Sequence, residues 1–223
     1  YCLSMVLTWS DNDTPLKTLC LCVHNRDIDT GNQSEEVRSV RDEEHLYREF
    51  FNLIRYYDPD ILLGHNSSCY DFGYISKRTV TSDLPPLGRL NSFEEEIDLC
   101  GQTYKVKLDL PDNEEYKTHS WEGAGGIWHE YVIPSCYGRI ILDTLIILKK
   151  LKTSPGTPGE LQSHSLKNLG SYLVGEGKND MSYAETFYAY RSGETERIAP
   201  ICSYCIQDSR LCMKIFHRTK SWI

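Results

Sequence analysis

Two short stretches of this chain carry residues whose types and spacing suit carboxylate chemistry. The first is GHNSSCYD, residues 64–71, which directly follows the apolar run at 61–63. Gly64, Asn66 and Tyr70 precede Asp71 there. They supply an accessible backbone, an amide able to hydrogen-bond a base and an aromatic ring able to stack on one. The second is YCIQD, residues 204–208. Read as a helix, Ile201, Tyr204, Cys205, Asp208, Leu211, Cys212 and Ile215 share one face, and Ser203, Gln207, Arg210 and Lys214 take the other. Every member of the first stripe except Asp208 is apolar or aromatic. An ionised carboxylate in such surroundings is costly unless compensated. Where several carboxylates meet, a divalent cation compensates them. Tyr204 lies one turn before Asp208, placed for its hydroxyl to hold a water beside such a cation. Each acid also has a plainer role open to it. Asp71 suits the cap of a helix, and Asp208 suits pairing with an arginine or a backbone N–H.

The elements that must position these residues are legible from periodicity. Residues 2–10 and 17–24 read as a hairpin around the turn-forming SDNDTP, and EEVRSV as a weaker third strand. DEEHLYREFFNLIRYY has a helical inner face of Leu46, Phe50, Leu53, Ile54 and Tyr57, with acids at its N-terminus and Pro59 beyond its end. A short buried strand at 61–63 and a helix from about Asp71 follow. Residues 80–137 read as an irregular insert with one hairpin, EIDLCGQTYKVKLDL, and a glycine loop, EGAGG. YGRIILDTLIILKKL reads as a strand running into a helix. HSLKNLGSYLVGEG reads as a helix capped by Ser165 and stopped by Gly175, and two helices close the chain. Strands first, then strand–helix alternation, imply an α/β fold with a mixed sheet covered by helices. Such sheets bind ligands where strands lead into helices, the places of Asp71 and Asp143.

Composition narrows the function. The 223 residues carry a net charge of −8, with −11 up to Tyr116 and +3 after it. An acidic chain is a poor non-specific duplex binder, although a local groove can still grip a short single strand. No run of about 18 apolar residues exists, so no membrane span is expected. Nine cysteines, an odd number in a chain this size, fit free thiols in a reducing intracellular setting. CSYC, with Cys202 and Cys205, has no second pair at zinc-finger spacing and reads as plain helix packing. The seven histidines show no metal-ligand spacing. SWEGAGGIW lacks the Lys-Ser/Thr of a phosphate loop and reads as a loop.

Taken together, DPDILLGHNSSCYDFGYISKR and YCIQDSRL resemble the second and third exonuclease motifs of B-family DNA polymerases. PPLGRL, YGRIILDTLIILKK and HSLKNLGSYLVGEGKND resemble intervening segments of that family, in its order. The likeness is closest to eukaryotic delta-like and large-DNA-virus enzymes and extends over nearly the whole chain. It implies a single 3′→5′ proofreading exonuclease domain over residues 1–223 of a longer polymerase, with the ribonuclease H-like fold of the DEDDy exonucleases.

In that family four carboxylates hold two divalent ions, Mg²⁺ or alternatively Mn²⁺, that hydrolyse the 3′-terminal phosphodiester. The resemblance makes Asp71 and Asp208 metal ligands and gives Tyr204 the attacking water. It sets Asn66 and Tyr70 at the frayed single-stranded 3′ end, with Tyr70 in place of the more usual Phe. SLKNL resembles a single-strand motif, pointing to Ser165 and Leu166, and KNDM resembles a Lys-containing motif, pointing to Lys178 at the phosphate. The family's Asp-Ile-Glu on a first strand is expected before Tyr1. Asp27 to Asp29 read as a solvated loop and not as its substitute. Asp143 reads as a helix-start residue or as a support standing behind the site, and not as one of the four ligands. Implied partners are the 3′ end of single-stranded DNA, the polymerase domains of the same chain and a processivity factor, in a nucleus or viral replication compartment. A catalytically silent module that only positions DNA is the competing expectation, because some family members have lost these carboxylates.

Overall fold

The structure is a computed structural model that describes residues 1–79, 87–89, 92–99, 102–109, 116–122, 128–134, 136–151, 163–177 and 181–219. The chain divides into two compact units. One comprises Tyr1–Phe50, Leu63–Asn66 and Asp143–Ile223, the other Phe51–Leu62 and Ser67–Leu142.

In the first unit, β1 (Cys2–Leu7) and β2 (Lys17–Val23) form the expected antiparallel hairpin, with Cys2 opposite Cys22 and Ser4 opposite Cys20. Asn12 shapes its turn: its side chain accepts from Thr14 N at 2.8 Å, and its own N–H donates to Trp9 O at 3.2 Å. β3 (Glu36–Val40) pairs parallel to β2, so the three-stranded sheet is mixed. Central β2 is inaccessible on both faces from Leu19 to Cys22, which is why it reads as a continuous apolar run and not as an alternation.

Helices follow this sheet in the chain, and α6 (Thr195–Thr219) packs on it. α1 (Glu43–Tyr57) starts with Glu43 and Glu44, favourable at the positive end of a helix, and Asp42 caps it by accepting from His45 N at 2.8 Å. α4 (Leu166–Leu169) runs directly into a π-helical turn, Gly170–Val174, which ends at Gly175 with φ +75°. Ser182 and Glu185 form a reciprocal capping box at the start of α5 (Tyr183–Ser192).

The 25-residue α6 (Thr195–Thr219) packs on β1 and β2. Ile198, Ala199, Cys202 and Ile206 join Cys20, Cys22 and Ile28 in one core cluster, and Leu211 and Ile215 join Leu169 in another. The buried arc of α6 therefore differs from the single expected stripe. Cys202, Ile206, Met213 and Phe216 are buried, whereas Tyr204, Cys205, Asp208 and Cys212 are half-buried. The helix meets α3 (Thr144–Leu151), α4, α5 and the π-turn as well as the sheet, so its burial follows several neighbours and not one face.

β4 (Ile61–Gly64) pairs with β9 (Ile140–Asp143) in a two-stranded sheet. β4 leads toward α2 (Asp71–Thr79), and β9 runs directly into α3 (Thr144–Leu151). In the second unit, Arg89 binds Asp58 at 2.7 Å, Asp60 at 2.8 Å and Gly138 O at 2.9 Å. Arg139, its side chain buried, adds Asp58 at 2.9 Å and Leu87 O at 2.8 Å. The hairpin expected between 80 and 137 is β5 (Ser92–Leu99) with β6 (Gln102–Asp109). A second hairpin, β7 (Tyr116–Glu122) with β8 (Trp128–Pro134), was not expected. Its polar first strand, KTHS, hides the apolar alternation that marks most strands. The glycines at 123–127 lie outside the described residues.

Candidate functional site

The apolar tails of β4 and β9 set up a small polar network at the ends of the two strands, within the first unit. Asp143 is 5% exposed. Its Oδ1 accepts from Leu145 N at 3.0 Å, capping α3, and from Asn66 N at 2.8 Å. Thr144, fully buried, donates to Gly64 O at 3.2 Å and lies 2.8 Å from His65 Nδ1. Asn66 adopts φ +61°, a left-handed conformation that Asn tolerates better than most residues. The bond from its N–H to Asp143 holds its backbone there. The sequence marked Asp143 as a helix-start residue. That it also holds Asn66, from 77 positions away, follows only from the strand pairing.

Tyr204 and Asp208 lie one turn apart on α6, both half-buried. Asp208 Oδ1 is buried. The Cys205 thiol is pushed up by its hydrogen bond with Cys2 and by burial, with a further contribution from the charge of Asp208. Tyr204 lines a cavity of about 490 Å³ with Glu35, Ser203, Gln207, Arg210 and Lys214 among its walls. The helical count set those last four residues on the face opposite Tyr204, so the tyrosine turns toward the polar side of α6. Arg210 and Ser203 both reach Glu35 at 3.0 Å, and the Glu35 side chain is 6% exposed. Lys214 pairs with Glu176. The cavity wall thus carries both signs of charge. The pairing of Glu35 with α6 had no sequence signal, since Glu35 stands in a loop more than 160 residues away.

Ser165 is the N-cap of α4 and accepts from Asn168 N at 3.3 Å, while Leu166 packs half-buried against the Leu169 cluster. In the second unit Asp71 opens α2 and is exposed, as is Tyr70, 72% accessible. Phe72 N donates to Ser67 O at 2.9 Å and Tyr74 N to Tyr70 O at 3.0 Å, fixing the entry to α2. Lys178 lies outside the described residues. No helix among the described residues is long and apolar enough to cross a membrane.

A small mixed sheet with helices makes this an α/β chain, an architecture consistent with an exonuclease domain. Residues 4–169 match the model of the exonuclease domain of DNA polymerase family B, and the chain belongs to that family. The matched residues include Asn66, Tyr70, Asp71, Asp143, Ser165 and Leu166.

Its relatives are DNA polymerases. DNA polymerase 120R of Invertebrate iridescent virus 3 is 22% identical over 207 residues, 87% of this chain and 16% of the relative. The DNA polymerase catalytic subunit of Saimiriine herpesvirus 2 is 26% identical over 187 residues, 82% of this chain and 16% of the relative. The DNA polymerase delta catalytic subunit of Schizosaccharomyces pombe is 22% identical over 227 residues, 99% of this chain and 18% of the relative. The chain thus spans 16–18% of the length of these polymerases.

Proposed function

We propose that this chain is the 3′→5′ proofreading exonuclease module, ribonuclease H-like in fold, of a longer DNA-directed DNA polymerase. Its substrate is the frayed 3′ end of single-stranded DNA. The family match over residues 4–169, which takes in GHNSSCYD, carries the reading. The delta-type and viral relatives support a nuclear or viral replication setting, with the polymerase domains of the same chain as its partners.

Asp71 and Asp208 are the metal ligands this chain supplies. Carboxylate oxygens are hard donors that suit Mg²⁺ and accept Mn²⁺. When bound, two such ions activate a water and stabilise the leaving 3′ oxygen. Tyr204 orients that water through its phenolic oxygen. Asn66, its backbone tied to Asp143, offers its amide to the terminal base, and exposed Tyr70 offers a ring to stack on it. Ser165 and Leu166 contact the strand, and Lys178 neutralises phosphate charge.

The test is 3′ digestion of labelled single-stranded DNA by the parent polymerase with Mg²⁺. Asp71→Ala and Asp208→Ala each remove several kcal/mol of transition-state stabilisation, about 10³-fold in rate, with unchanged melting temperature. Wild-type rates in either variant refute the assignment. An unaltered parent that degrades nothing under these conditions points to the silent, DNA-positioning module.

A further inference from the structure

The first unit holds a second group of metal-competent side chains. Cys2 on β1, Cys22 on β2 and Cys202 on α6 place their Sγ atoms within 4.8 Å of one another. Cys22 and Cys202 are fully buried and Cys2 half-buried. The convergence has a simple origin. Cys2 and Cys22 are paired across the hairpin, so both side chains leave the sheet on one face, and α6 lies on that face.

Two more thiols edge the triad. Cys20 sits two residues before Cys22, on the same face of β2, and Cys205 is one turn beyond Cys202. Cys2 and Cys205 both pack against the core cluster that holds Cys20, Cys22 and Cys202. Tyr190 on α5 turns its hydroxyl into the same place, 2.7 Å from Cys2 Sγ and 3.9 Å from Cys22 Sγ. All the described cysteines are free thiols.

Simple packing explains one or two buried cysteines, which behave as small apolar residues. It does not explain a phenol hydroxyl aimed at clustered sulfurs. A tetrahedral thiolate site with Zn–S of about 2.3 Å sets its sulfurs roughly 3.8 Å apart, a small contraction of what the fold already provides. The donors are all sulfur, with no histidine and no carboxylate among them, which selects a thiophilic ion over Mg²⁺. An O–H donated to a coordinating sulfur is the usual support for such a ligand.

We propose that Cys2, Cys22 and Cys202 form a structural site for a thiophilic d¹⁰ cation, Zn²⁺ in the first instance, with Cys205 or Cys20 as fourth ligand and Tyr190 donating to Cys2. Binding releases the thiol protons to solvent. The ion clamps α6 to the β1–β2 hairpin and so fixes the helix that carries Tyr204 and Asp208. The inference does not depend on nuclease activity.

The test uses the 223-residue chain, reduced and stripped of metal, titrated with Co²⁺ and then Zn²⁺. The expected result is one equivalent of Co²⁺ with a thiolate-to-cobalt charge-transfer band, displaced by one equivalent of Zn²⁺. Zn²⁺ raises the melting temperature, and a chelator reverses the rise. Cys202→Ala abolishes the band, and Cys212→Ala, outside the cluster, keeps it. Because Cys202→Ala removes a core side chain, the wild-type titration is decisive by itself. No charge-transfer band, a band that survives Cys202→Ala, or a disulfide among these cysteines after purification from a reducing host overturns the proposal.

Discussion

Asp143 Oδ1 accepts the backbone N–H of Asn66 at 2.8 Å, joining the end of β9 to the residue that follows β4 by two positions. The same oxygen caps α3 through Leu145 N. One buried carboxylate therefore sets both a helix start and the left-handed turn at Asn66.

Asp143→Ala leaves two backbone donors without their acceptor, at a cost of about 1–3 kcal/mol for each that stays buried. Thermal melting is expected to fall by several degrees, and Asp143→Asn, which keeps an acceptor oxygen, to recover most of the loss. In the parent polymerase, Asp143→Ala is expected to raise KM for single-stranded DNA more than it lowers kcat. It acts on the positioning of Asn66 and not on the reacting atoms.

Tyr204→Phe keeps the ring and removes the hydroxyl that is proposed to hold the water. Exonuclease kcat is expected to drop by about 10²-fold or more, with Kd for single-stranded DNA unchanged. A parallel loss of binding would assign Tyr204 to the strand and not to the water.

Gly170→Ala reverses the sign that helix propensity gives. Ala in a helix is ordinarily favoured over Gly by about 1 kcal/mol. Here a Cβ would lie 2.6 Å from Leu211 Cδ2 and 2.9 Å from Glu176 O. Overpacking of this kind costs about 1–3 kcal/mol. Chemical denaturation should therefore show a lower midpoint for the variant, and a raised midpoint would contradict the close approach of the π-turn to α6.

Acid should weaken the second unit through Asp58. Its hydrogen bond with Arg89 holds the carboxyl below its ordinary range, and Arg139 adds to the effect. A carboxylate with a depressed folded pKa stabilises fully above its unfolded value, about 3.9. The contribution disappears as the pH falls through the folded value. Asp58→Asn is therefore expected to lower the melting temperature near neutrality. Wild-type and variant melting curves should converge as the pH drops below about 4. A constant gap across that range would remove Asp58 from the account.

Local order in this chain is written in local residues. The hairpin at β1–β2, the acids opening α1, the Ser165 cap and the Gly175 stop all depend on neighbours within a few positions, and each stands in the structure where the sequence places it. The motifs around Asp71 and Asp208 were legible for the same reason, as short runs of fixed residue type. Long-range pairing was not. Which face of α6 is buried depends on six neighbouring elements at once, so Tyr204 turned out to share a cavity with Ser203, Gln207 and Arg210. The union of Asn66 with Asp143 required β4 to find β9. CSYC has no second cysteine pair at zinc-finger spacing, because its partners, Cys2 and Cys22, lie some 180 or more residues away along the chain. Periodicity and capping act over one or two turns of backbone, whereas sulfurs, carboxylates and hydroxyls meet only after the sheet has fixed its register and the last helix has come down on it.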